Sequence, residues 1–108
     1  METWDLGSLE VQPHHPAVLD SDQEGRLIAI ELPAGEMLQE HQVHERAWLL
    51  VVNGSIEIVD SGGESVKGES GFLAAFDPNE RREVRASEDS RLLLVLSPWP
   101  GEGHPSLR

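Results

Sequence analysis

Residues able to donate a lone pair to a metal ion gather in one short stretch, among them His41, His44 and Glu45. Imidazole nitrogen and carboxylate oxygen are the donors that zinc, iron, manganese and nickel take where no thiolate is present, and this chain has no cysteine. Spacing limits what the three can do together. On a regular strand residues 41, 43 and 45 share one face and residue 44 lies on the other. Glu45 can therefore join His41, whereas His44 reaches them only across a bulge. His41 is the leading functional residue, as a hydrogen-bonding histidine or as a ligand, and a metal site built on His41, His44 and Glu45 is the arrangement these donors allow. His14 and His15 are adjacent, so strand geometry sends them to opposite faces; with Pro16 they read as a solvated turn or edge. His104 lies among prolines and glycines and carries no catalytic role.

A different chemistry is available at Arg81-Arg82. A guanidinium keeps its proton, coordinates no metal, and pairs with carboxylate or phosphate through parallel N–H groups. Arg81 reads as a solvated charge. Arg82 shares strand parity with Val84 and is the one placed to point inward. Covalent catalysis finds no support: there is no Gly-x-Ser-x-Gly elbow, and Gly62-Gly63 lacks the strand-to-helix context of a phosphate loop.

The elements that must position these residues are strands. No helix-length segment repeats apolar residues at i, i+3, i+4 and i+7; short apolar or alternating runs recur instead, each closed by turn residues. Leu27–Leu32 is the first clear strand, ended by Pro33-Ala34-Gly35. Ala47–Val52 is apolar on both faces and so expected to be buried. Asn53-Gly54 reads as a hairpin turn, because both turn positions call for positive φ. Ser55–Val59 leads into Asp60-Ser61-Gly62-Gly63; Gly68 and Gly71 bracket the entry to Phe72–Phe76; Asp77–Glu80 is a turn; Glu83–Ala86, Ser87-Glu88-Asp89 and Arg91–Leu96 form strand, turn and strand. Strands at intervals of about 8–12 residues predict an all-β sandwich or barrel. Residues 1–25 form an N-terminal arm in which Ala17–Leu19 is a candidate edge strand, residues 26–97 the barrel, and residues 98–108 a Pro/Gly-rich tail, where Pro98, Pro100 and Pro105 lack the N–H that a ladder needs. Trp48 sits one residue from the inward Ala47, so it faces outward as a partner surface or is buried in a second layer; Trp99, between two prolines, pins the tail to the barrel.

The run from Gly35 to Gly54 resembles the first motif of the cupin superfamily: a Gly, five residues, His-x-His, three or four residues, Glu, six residues, Gly. His41 follows Gly35 at the required distance, and Gly54 closes the motif. Gly71 opens a segment similar to the second motif: a Gly, five residues, Pro-x-Gly, two residues, His, three residues, Asn. The resemblance covers residues 26–97 and implies a single-domain cupin jelly-roll barrel of the small bacterial type, with homodimers as its common assembly. The metal ligands of the motifs are largely missing. The second His falls on Val43, the Glu on Ala47 and the last His on Arg82, while Asp77, Asn79 and Ala86 replace the Pro, Gly and Asn. Two unit charges about 4 Å apart at an effective dielectric of about 20 repel by ~4 kcal/mol, and a dication beside Arg82 by roughly twice that. An inward Arg82 therefore favours an anion.

A formal net charge of −12 argues against nucleic-acid partners, whose phosphates require Lys and Arg, and against anionic membranes. The longest near-apolar runs are too short to span a bilayer. The N-terminus shows no basic start and no apolar signal region. The lack of cysteine fits a reducing cytoplasm, the expected location. The expectation is a cupin-type module that binds or senses a small molecule, an organic anion, without the usual metal. His41 and Arg82 supply the polar contacts, and Leu49, Val51, Phe72 and Ala74 line an apolar pocket. The alternative is a metal-dependent dioxygenase or isomerase built on His41, His44 and Glu45. A third reading is an interaction module with a filled barrel.

Overall fold

In the computed structural model, residues 1–38 and 45–97 are described. His41, Val43 and His44, and the tail with Trp99 and His104, lie outside the described residues. Among the described residues nine strands follow in chain order: β1 (Ala17–Ser21), β2 (Arg26–Leu32), β3 (Met37–Leu38), β4 (Arg46–Asn53), β5 (Ser55–Asp60), β6 (Ser65–Glu69), β7 (Leu73–Phe76), β8 (Arg82–Ala86) and β9 (Ser90–Ser97). They form two antiparallel sheets, one in the order β1-β2-β9-β4-β7 and the other β3-β8-β5-β6. The architecture is all-β, a jelly-roll sandwich.

Alternation along each strand decides which side chains meet between the sheets. Ala47, Leu49 and Val51 of β4, Ile56 and Ile58 of β5, Val84 and Ala86 of β8, and Leu92 and Leu96 of β9 are all buried there. Register keeps the rows level: Val51 pairs with Leu92 and Ala47 with Leu96 across β4 and β9, and Ile58 pairs with Val84 across β5 and β8. Full burial of each Leu, Ile or Val contributes about 1.5–3 kcal/mol, and these facing rows are the main cohesive term of the fold.

One expectation is corrected. Asn53-Gly54 does not make a hairpin, because β4 and β5 lie in different sheets. Gly54 is the corner where the chain steps from one sheet to the other. Its φ is +100°, and a Cβ there would collide with Ser90 Oγ and the backbone of Asp89 and Ser90. Positive φ is found at Gly54 but not at Asn53, and β4 and β5 are not paired with each other. Ser90 ties the same corner. Its buried hydroxyl accepts from the Ser55 N–H at 3.1 Å and donates to the Glu88 carbonyl at 2.8 Å.

The N-terminal segment is tied to the larger sheet by Arg91. The Arg91 Nε donates to Glu31 Oε1 at 2.9 Å, and its Nη1 donates to the carbonyls of Leu6 and Leu9 at 2.9 and 2.6 Å. Glu31 and Arg91 are direct cross-strand partners, so the ion pair is set by register.

Candidate functional site

At one end of the sandwich the inward rows stop being apolar. On β8 the row Ala86, Val84 continues to Arg82, and on β5 the row Ile56, Ile58 continues to Asp60, with Asp60 and Arg82 paired across the two strands. Arg82 points inward and is only 7% exposed. Its guanidinium carbon lies 4.4 Å from the centroid of the Phe76 ring, close enough for cation–π attraction. Phe76 is itself held on the inner face of β7 by its pairing with Ala47. Burial pushes the Arg82 guanidinium below its ordinary pKa, and the nearby Glu80 carboxylate pushes it back up.

Arg82 lines a cleft of about 300 Å³ where the edge strands β6 and β7 leave the two sheets apart. Ile58, Val66, Ala74 and Phe76 supply its apolar wall, and Asp60, Glu64 and Glu80 share its polar side with Arg82. Local hydrogen bonds fix two of the carboxylates. Asp60 Oδ1 accepts from the N–H groups of Gly62 and Glu64 at 2.9 and 3.0 Å, which shapes the β5–β6 turn. Glu80 Oε1 accepts from the Asp77 N–H at 3.0 Å. The cleft thus offers one shielded cation, three carboxylates and an apolar floor.

The residues proposed from sequence separate into groups. Arg82 and Ala74 line the cleft. Leu49 and Val51 do not: both are sealed in the core, because strands β9 and β7 flank β4 and the opposite sheet covers its inner face. Phe72 is also not in the cleft; its ring lies against Gly68, where a Cβ would overlap it. His41 and His44 are outside the described residues. Glu45, just before β4, continues that strand's alternation and is 3% exposed on the side of Ala47. The sequence reading missed Asp60, Glu64 and Glu80. Asp60 was legible in principle, since it has the parity of Ile56 and Ile58.

The donors at the two described motif positions do not fit a cation. Ala47 has no lone pair, and Arg82 presents a positive charge. Among the described residues no three His, Cys, Asp or Glu side chains group as a metal site. His14 Nε2 lies 3.0 Å from Glu36 Oε1 in an exposed contact far along the chain from Arg82.

On the outer face of the larger sheet, Trp48 is half-buried. It lies between its partners Val95 and Ala75, with the Arg46 guanidinium 5.6 Å from its ring. Trp48 faces outward.

No protein-family model matches the sequence, and no curated protein matches it. Solved structures do. An RmlC-like cupin protein from Desulfovibrio desulfuricans superposes with a TM-score of 0.78 at 17% identity, covering 91% of this chain and 97% of that one. A cupin-2 domain protein from Shewanella frigidimarina gives 0.71 at 13% identity over 84% and 87%. An RmlC-like cupin with a double-stranded β-helix fold from Methanocaldococcus jannaschii gives 0.71 at 18% identity over 85% and 82%. The chain is an all-β domain with the cupin fold. Among its described residues no helix is long and apolar enough to cross a membrane.

Proposed function

We propose that this domain is a cupin-fold module that binds a small organic anion in the cleft at Arg82 and works without a resident metal ion. The observation that carries the reading is the placement of Arg82: buried, inward, stacked on Phe76 and lining a cleft of about 300 Å³. A guanidinium presents five donors in a fixed plane. Stacking on a ring restricts that plane, so less conformational entropy remains to be lost when a carboxylate docks. The apolar wall lowers the local dielectric and strengthens the charge-assisted hydrogen bonds that form. The motif resemblance makes His41 the second polar contact proposed for the ligand. The reading extends to a cytoplasmic location.

The test is calorimetric titration of small carboxylates against the wild type and Arg82→Ala. A loss of about ten- to a hundredfold in affinity is expected, the range for a hydrogen bond to a charged group; equal affinity ends the role given to Arg82. Metal analysis of protein purified without a histidine tag is the companion experiment. Near-stoichiometric iron, manganese, nickel or zinc that His41→Ala removes would replace this reading with a metal-dependent enzyme on His41, His44 and Glu45.

A second reading, an interaction module that homodimerises, draws on the outer face of the larger sheet. On β7, β4 and β9 two level rows carry no charged residue: Leu73, Leu50 and Leu93 in one, and Ala75, Trp48 and Val95 in the other. Leu73 is 58% exposed. Contiguous exposed apolar surface of this kind marks interaction sites. Sedimentation equilibrium of the wild type and Leu73→Lys checks it: a dimer that the substitution splits supports the reading, and a monomeric wild type ends it.

A further inference from the structure

The charge pattern of the cleft is more specific than a simple anion requires. Arg82 is its buried cation, but Asp60, Glu64 and Glu80 line the same space. A ligand that is only a carboxylate meets one attractive and three repulsive side chains. A ligand that is only an amine meets the guanidinium at the depth of the site. Ile58, Val66 and Ala74 of the same cleft leave neutral wall for the ligand's hydrocarbon part, while Asp60 sits directly across from Arg82 on the paired strand, the short separation that an amino acid's own two charges have.

We infer that the cleft is built for a zwitterion of amino-acid class, with the ligand carboxylate on Arg82 and its ammonium group on the carboxylates contributed by the β5–β6 turn and Glu80. The inference deepens the anion-binding reading and rests on it. Three features support it independently of each other. Arg82 is restricted by Phe76 at 4.4 Å, so the anion end has a fixed receptor. Asp60 and Glu80 each spend one oxygen on a backbone N–H, which holds both carboxylates in place before any ligand arrives. The volume, about 300 Å³, accommodates roughly ten water-sized groups, the scale of a single amino acid. The ammonium end is the more solvated one, because Glu64 is exposed and Asp60 and Glu80 are only partly buried. Its contribution to affinity is therefore smaller than that of the carboxylate end.

The experiment uses matched triplets on the intact chain at low ionic strength: α- and ω-amino acids of three to six carbons, each with its desamino acid and its decarboxylated amine. The expected result is at least one amino acid that binds about fivefold or more tightly than either of its partners. Arg82→Gln then weakens binding of both the amino acid and the desamino acid by about ten- to a hundredfold. Glu64→Gln combined with Glu80→Gln brings the amino acid down to the desamino acid without weakening the latter. The Gln at position 80 retains the Oε1 that accepts from Asp77, and Glu64 is exposed, so this double variant keeps the fold if Arg82→Gln does not; thermal melts verify both. Desamino acids that bind as well as amino acids overturn the zwitterion and leave the anion reading standing. Failure of every carboxylate-bearing probe, or affinities indifferent to Arg82→Gln, overturns both.

Discussion

The two ends of the sandwich are built from the same strands with the same alternation, yet they are filled differently. At the closed end Val51, Ile56, Leu92 and Ile30 meet between the sheets, and the corner is sealed by Gly54 against Ser90. At the open end the same inward positions on β5 and β8 carry Asp60 and Arg82, and the edges of β6 and β7 diverge around a cleft. The contrast shows how a small domain divides its work. One end holds the protein together through apolar area and close packing. The other accepts a buried charge that packing alone would not choose, since a buried guanidinium is expensive to desolvate.

That division can be broken or sharpened by substitutions at the two ends. The largest effect is expected for Leu49→Ala, which leaves a cavity in the sealed core: a loss of about 3–5 kcal/mol, read by urea denaturation. Gly54→Ala comes next. It imposes a Cβ on Ser90 Oγ at a φ of +100°, and the same assay is expected to show a loss of about 2–3 kcal/mol. Ser90→Ala removes the hydroxyl that serves the Ser55 N–H and the Glu88 carbonyl, with an expected cost of about 1–2 kcal/mol. The smallest change in stability belongs to Arg82→Met. The apolar chain of similar length keeps the packing on Phe76 but leaves the partly exposed Glu80 carboxylate without its nearby cation, so a loss of about 1 kcal/mol is expected, while carboxylate affinity is lost. Should Arg82→Met cost as much as Leu49→Ala, the open end would be structural and the contrast would collapse.

Much of the fold was legible because strand alternation is local. Six of the nine strands correspond to runs singled out between Leu27 and Leu96, each with apolar residues on at least one face. β3 and β6 escaped notice for a physical reason. Met37-Leu38 is two residues long, and Ser65–Glu69 contains a single large apolar residue, Val66. These edge strands exist through backbone pairing with β8 and β5, which their side chains do not announce. Strand parity also pointed Arg82 inward, since it follows Val84 and Ala86 on one face.

What sequence alone determined, then, was periodicity: where most of the strands run, which residues share a face, and that Gly54 breaks the run with a positive φ. The tertiary structure decided which strands are neighbours. That choice turned Asn53-Gly54 from a hairpin into a crossing between sheets and sealed Leu49 and Val51 inside the core. It also brought Asp60 and Glu64 to the same cleft as Arg82. Period-two alternation is a property of adjacent residues, whereas pairing depends on contacts made across the whole chain, and only those contacts determine whether an inward side chain meets a wall or an opening.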